Sequence, residues 1–218
     1  MPSIHRYAES DVPTDYGVVH LVVYRRGAAN ESGAASEPNG GATAELPPMP
    51  EEHLAIVVGD PRASASDASL LVRVHSECWT GEVLHSKKCD CRAQLDLAMR
   101  AIASAGRGVV VYLRQEGRGI GLGNKVRAYA LQEAGADTVD ANRILGFADD
   151  GRTYDVAAAI LQDLGVGTVA LLTNNPRKVE GLRTHGIRVR ERVPATTEPN
   201  PHNADYLAVK ARRMGHEF

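Results

Sequence analysis

The chain has 218 residues, 43% hydrophobic and 24% charged, which excludes a mainly disordered state; at that length folding buries about 70% of the unfolded surface, so one domain over 1–218 needs no disulfides. With 25 Lys and Arg against 27 Asp and Glu the net charge is −2, which argues against nonspecific binding to nucleic acid or a membrane surface, so any anion must be captured locally. No apolar run approaches the roughly 18 residues of a membrane span, and the opening MPSIHRYAESDVPTD lacks the basic-then-apolar layout of a secretory signal, so a cytoplasmic protein is expected.

Short β-rich runs come first, at 18–24 (VVHLVVY), 53–58 (HLAIVV) and 69–75 (SLLVRVH), each bounded by turn-forming residues. Between the first two, 27–50 holds small, polar and helix-breaking residues with nothing to pack, and reads as a mobile surface loop, either functional or simply tolerated. From residue 92 helices and strands alternate. Leu95, Ala98, Met99 and Ile102 mark one helical face with Gly106 as its stop, and 109–113 (VVVYL) reads as a buried strand. Further helices are predicted near Asn124, near Tyr154 and from Pro176 to Gly186, with strands at 168–172 and 187–193. Asn203 is predicted to cap a last helix that Gly215 ends. Strict alternation of this kind predicts a layered α/β fold with a parallel or mixed sheet.

All three cysteines fall in SECWTGEVLHSKKCDC, a Cys-x10-Cys-x-Cys pattern. Buried free thiols are the plain alternative, but Cys89 and Cys91 sit in a hydrophilic stretch, and their spacing strains a disulfide while suiting two ligands of one ion. Zinc is the first expectation for thiolate ligands. Three cysteines leave one tetrahedral corner open, as in a catalytic site, unless His75 or His85 closes it. Lys87, Lys88 and Arg92 either offset the charge of the thiolates or form a solvated rim.

After VVVYL, the turn RQEGRGIGLGNK alternates glycines at 117, 119, 121 and 123 before a helix. It matches neither a Walker loop nor a dinucleotide fingerprint. It is a flexible connector or, given Arg114, Arg118, Lys125 and Arg127 around it, a phosphate cradle. A second strand-to-helix junction, LLTNNPRK, sets Thr173, Asn174 and Asn175 at a strand end, as caps or ligand contacts. Lys178 in the first turn of the following helix opposes its dipole, which a nearby anion would explain.

Taken together, RVHSECWTG, CDC, RQEGRGIGL, NKVRAYALQ, DTVDAN, LGF, LLTNNPRK and KARRMGH, in that order from Arg73 to His216, resemble GTP cyclohydrolase II over about two thirds of the chain. The resemblance implies a layered α/β/α fold with a mixed sheet. It implies a zinc enzyme that opens the imidazole ring of GTP at C8, releases formate and pyrophosphate, and forms 2,5-diamino-6-ribosylamino-4(3H)-pyrimidinone 5′-phosphate, the first step of riboflavin synthesis. It assigns zinc to Cys78, Cys89 and Cys91. It assigns GTP contacts to Arg73, Val74, His75, Ser76, Glu77, Gln94, Glu116, Gly117, Arg118, Thr138, Thr173 and Lys178. Asp150 corresponds to a proton acceptor, Arg152 to a group that takes the guanylyl phosphorus, and Tyr129 to a residue that activates or orients water. A homodimer is implied as well, and Mg²⁺ is expected on the triphosphate.

Arginine as a nucleophile is the physical exception, because a guanidinium stays protonated; Arg152 is better suited to stabilising charge on the transferring phosphoryl group. Two features depart from the family pattern: Arg92 follows CDC where glycine is common, and the 27–50 stretch is longer than usual. A fused arrangement with a preceding second enzyme domain is not expected. Three rivals remain: an enzyme that stops at the N-formyl intermediate, a non-catalytic zinc or nucleotide-binding protein, and a nucleobase deaminase. The last is hinted at by His75-x-Glu77 but lacks the Pro-Cys-x-x-Cys element.

Overall fold

The computed structural model describes residues 2–27, 51–63 and 69–215; the loop expected to be mobile lies, but for Gly27, outside them. Among the described residues seven strands form one sheet: β1 (Ile4–Thr14), β2 (Gly17–Arg26), β3 (Glu52–Val58), β4 (Leu70–Ser76), β5 (Gly108–Leu113), β6 (Thr168–Leu172) and β7 (Arg188–Val193). Their order is β1-β2-β3-β5-β4-β6-β7. Pairings from β1 through β2 and β3 to β5 are antiparallel, whereas β5–β4, β4–β6 and β6–β7 are parallel, so the sheet is mixed as expected.

Side-chain alternation divides the sheet into two faces. On one, Val22, Ala55, Val72, Val109, Val111 and Leu171 pack against α5 (Asp155–Asp163), with Leu182 of α6 (Pro176–Thr184) joining them. On the other, Val110, Ile56, Leu71 and Leu172 meet Ala98, Met99, Ile102 and the partly buried Leu95 of α2 (Cys91–Ala105), the four residues whose spacing marked that helix. The result is the α/β/α layering implied by the resemblance. Strand β4 is split between two tasks. Leu70, Val72 and Val74 enter the apolar core, while Arg73, between them, reaches α2 on the opposite face through Gln94.

Four more α-helices, α1 (Trp79–Glu82), α3 (Gly121–Glu133), α4 (Thr138–Ile144) and α7 (Ala204–Met214), and a 3-10 turn at Glu116–Gly119 complete the described elements. Helix α3 starts at Gly121, three residues before the expected Asn124. Asn203 precedes α7, but its side chain does not cap it: Oδ1 accepts instead from the backbone N–H of Asn200, so the carboxamide closes the preceding turn. Asn175 does cap α6, accepting from the N–H of Arg177, with Pro176 at the first helical position.

Candidate active site

Beyond the C-terminal ends of β4, β5 and β6 opens a cavity of about 580 Å³, where ligands of open α/β sheets bind. The chain reaches it by three exits. β4 delivers Ser76 and Glu77 and then α1, β5 delivers the glycine turn, and β6 delivers Thr173, Asn174 and Asn175 ahead of α6.

The three thiols meet at one wall of this cavity. Their Sγ atoms lie within 4.8 Å of one another, with Cys78 and Cys89 at 3.7 Å. Two thiolates on one tetrahedral zinc with Zn–S of about 2.3 Å stand about 3.8 Å apart, so spacing and donor softness both fit that ion. Gly81 forms the floor: a Cβ there would sit 3.0 Å from Cys89 Sγ and 3.1 Å from Cys78 Sγ. Neither histidine joins the cluster. The Nε2 of His75 bonds Glu82 at 2.9 Å, and His85 meets Arg92, so among the described residues the cluster is three sulfurs. Hydrogen bonds from Cys89 and Cys91 favour the thiolate at Cys78 and lower its pKa, and Lys125 adds to this.

The cation that touches sulfur is one the sequence placed elsewhere. Lys125 Nζ lies 3.1 Å from Cys78 Sγ and 2.8 Å from Glu116 Oε1, not in a phosphate cradle. Arg114 turns to Glu77 and Arg127 to Asn124, both on exposed surface, which leaves Arg118 as the member of that basic group that lines the cavity with Lys125. Of the expected rim, Lys88 pairs with Glu133 and Arg92 with Asp96.

Glu116 is buried and fully oriented. Its carboxylate accepts from the N–H of Trp79 and of Gly117, each at 2.6 Å, as well as from Lys125. Gly117 at φ 61° and Arg118 at φ 63° make the turn left-handed, which is natural for glycine and strained for arginine. That conformation aims Arg118 inward, where Nη1 and Nη2 are buried without a hydrogen-bond partner.

Opposite stands a cationic wall. Arg73 donates to Leu172 O at 3.0 Å and to Gln94 Oε1 at 2.6 Å. Burial pulls it down to about 10, so it is charged at neutral pH. Lys178 donates to Val74 O at 2.8 Å, and burial together with Arg73, Arg152 and Lys210 pushes its ammonium well below the ordinary lysine range. An anion bound here would relieve such crowding of buried positive charge. Arg152 donates twice to Asp150, at 2.8 and 2.7 Å, and Asp150 is also 3.3 Å from Arg177. Burial works against both charges, but the Asp150 bond prevails and holds Arg152 more firmly protonated, while Arg152 holds Asp150 below the ordinary carboxylate range.

His75 is neutral: burial drives its pKa down to about 4, and its ring stacks on Tyr112 at 5.7 Å. Glu82 accepts from His75, from Tyr112 and from the N–H of Cys78, and thereby fixes the start of α1. Tyr129 on α3 places its hydroxyl 3.3 Å from Thr80 Oγ1; burial raises its pKa, so the phenol keeps its proton.

A family model described as GTP cyclohydrolase II matches residues 5–194. The chain belongs to the GTP cyclohydrolase II family. A GTP cyclohydrolase-2 of Pseudomonas syringae pv. tomato is 59% identical over 165 residues, covering 76% of this chain and 79% of its own. Those of Histophilus somni (strain 2336) and Haemophilus influenzae (strain PittGG) are 46% and 45% identical over 216 residues, covering 99% of this chain and 89% and 90% of theirs. Among solved structures, RibBX, a two-domain 3,4-dihydroxy-2-butanone 4-phosphate synthase from A. baumannii, is 21% identical with a TM-score of 0.42; the likeness covers 90% of this chain and 41% of that one.

Of the residues singled out by the resemblance to GTP cyclohydrolase II, Arg73, His75, Ser76, Glu77, Gln94, Glu116, Gly117, Arg118, Thr173, Lys178, Tyr129, Arg152 and the three cysteines line the one cavity. Val74 instead sends its side chain into the core and meets Lys178 through its carbonyl. Asp150 stands behind Arg152, and Thr138 opens α4. Sequence reasoning missed Glu82, which accepts from neutral His75 and from Tyr112, and the buried ion pair of Asp90 with the distant Lys210.

Proposed function

We propose that the chain hydrolyses GTP at C8 of guanine, releasing formate and pyrophosphate and leaving 2,5-diamino-6-ribosylamino-4(3H)-pyrimidinone 5′-phosphate for riboflavin synthesis. In this reading Cys78, Cys89 and Cys91 hold one zinc ion and Mg²⁺ accompanies the triphosphate. Family membership makes the chain an enzyme acting on GTP. The observation that carries the finer reading is a three-thiol cluster sharing one cavity with an oriented carboxylate and a buried cationic wall.

Bound at the thiols, zinc supplies Lewis-acid activation of water. Glu116 offers carboxylate oxygens to the N1–H and exocyclic amine of guanine, both donors, and the N–H groups of Trp79 and Gly117 keep it from turning away. Tyr129, still protonated, would hold and orient the attacking water through its hydroxyl. Arg73, Arg118 and Lys178 take phosphate oxygens. Arg152 stabilises charge on the phosphoryl group as pyrophosphate departs, and the bidentate Asp150 aims it; a guanidinium held this firmly protonated has no lone pair with which to attack.

Incubation of the protein with GTP, Mg²⁺ and zinc is expected to yield formate, pyrophosphate and the diaminopyrimidine ribotide by mass spectrometry. An N-formylated pyrimidine without free formate would establish the truncated reaction instead, and unchanged GTP would overturn the proposal. The homodimer implied by the resemblance and the cytoplasmic location expected from the sequence belong to the same proposal. No helix among the described residues is long and apolar enough to cross a membrane.

A further inference from the structure

The family model ends at residue 194, yet the cavity does not: His202, Tyr206, Val209, Lys210 and Arg212, on or just before α7, all line it. Two anchors hold α7 there. Lys210 is buried and donates to Asp90 Oδ1 at 2.8 Å, between metal-ligand candidates Cys89 and Cys91. The other carboxylate oxygen of Asp90 takes Gln94 Nε2 at 2.6 Å, and Gln94 Oε1 takes Arg73. Arg213, one turn on, pairs with Asp137 and with Asp140 at 3.2 Å, at the start of α4. The same helix presents Tyr206, whose ring lies 4.5 Å from Lys210 Nζ and 5.9 Å from the guanidinium carbon of Arg118, whose Nη atoms lack partners.

We infer that α7 is a wall of the substrate cavity, closing over an anionic part of the substrate beside Arg118, and that Lys210 is a positioning residue whose ammonium orders Asp90, Gln94 and Arg73. The orientation chain is directional. Lys210 has only donors, so Asp90 accepts on one oxygen and is left to accept Gln94 on the other; the Gln94 amide then has to present its oxygen to Arg73. Without the ammonium, Asp90 keeps Gln94 but loses its counter-charge in a buried setting, and the Gln94 carboxamide and Arg73 are free to re-pair. The inference rests on the GTP cyclohydrolase reading of the cavity.

Two measurements test it. Hydrogen exchange over 204–214 in the zinc-loaded wild type, with and without a GTP analogue carrying a methylene between the α and β phosphorus atoms, is expected to slow at least about fivefold on binding. Lys210→Met is expected to raise KM for GTP at least about tenfold while kcat falls less, and Lys210→Arg to recover most of the difference. A role confined to holding the fold would lower the melting temperature and the active fraction but leave KM alone. Wild type that turns over GTP, with exchange in α7 unchanged by the analogue and KM unmoved in Lys210→Met, would overturn the inference and leave the functional reading intact. Wild type that neither binds the analogue nor releases formate would sink both. Should Lys210→Met fail to fold, the exchange measurement on wild type decides alone.

Discussion

Gly81 is the most informative single position, because its missing side chain is what lets three sulfurs converge. A Cβ at 81 would stand 3.0 Å from Cys89 Sγ, 3.1 Å from Cys78 Sγ and 3.4 Å from Cys91 Cβ. Unstrained contacts of this type lie near about 3.5–4.0 Å, so two sulfurs must retreat by a few tenths of an ångström. Metal–ligand distances tolerate about 0.2 Å, so Gly81→Ala is expected to weaken zinc binding about ten- to hundredfold, or about 1.4–2.8 kcal/mol. The metal-free chain responds differently. Its thiols swing aside without breaking a coordinate bond, and alanine favours a helix over glycine by about 1 kcal/mol, so its melting temperature holds or rises. Competition for zinc against a chromophoric chelator, run beside melting curves with and without zinc, reads both effects. Equal zinc affinity in Gly81→Ala and wild type would refute the view that this floor sets the thiol geometry.

Three further outcomes are expected. Cys89→Ser should lose bound zinc, measured by elemental analysis, together with formate release, and a variant that retains both would remove Cys89 from the ligand set. Tyr129→Phe should lower kcat at least about tenfold with KM changed less than about threefold; a KM effect dominating would assign the phenol to binding. Asp150, held below the ordinary carboxylate range, contributes stability that is present above the unfolded carboxylate value of about 4 and is lost as pH falls through its folded value. Asp150→Asn should therefore destabilise the protein by about 2–4 kcal/mol at pH 7 by leaving the partly buried Arg152 without its counter-charge, and flatten the acid limb of the melting profile; an unchanged acid limb would show that the pair does not govern it.

What the sequence displayed was periodic or clustered. The α2 face, the VVVYL strand, the Pro176 start and the three cysteines could be read because each signal lies within one short window. What stayed hidden was long-range or locally ambiguous. Strand β1, IHRYAESDVPT, is an edge strand with most residues exposed, so it shows no apolar alternation. Helix α4 is seven residues long, and its real signal was the cap: Asp137 Oδ1 accepts from the N–H of Val139 and of Asp140. Lys125 was grouped with the glycine turn beside it, whereas its partner Cys78 lies 47 residues away. Lys210 and Asp90 are 120 residues apart, and only the fold reveals that each accounts for the burial of the other. The left-handed Arg118 belongs to the same class, since no pattern of residue types announces a strained arginine.

The divided strand β4 carries an evolutionary corollary. Because its neighbouring residues serve opposite faces, substitutions at Val72 or Val74 should be tolerated or purged according to thermostability, and those at Arg73 or His75 according to turnover, in an odd–even rhythm along a few positions. Sliding the strand by a single residue would plunge an arginine into hydrocarbon and strand a valine beside the substrate. Its placement between two parallel neighbours, pinned crosswise from Arg73 to β6 and from α6 to Val74, makes such slippage costly; catalytic geometry and folding fidelity are thus safeguarded by the same few bonds.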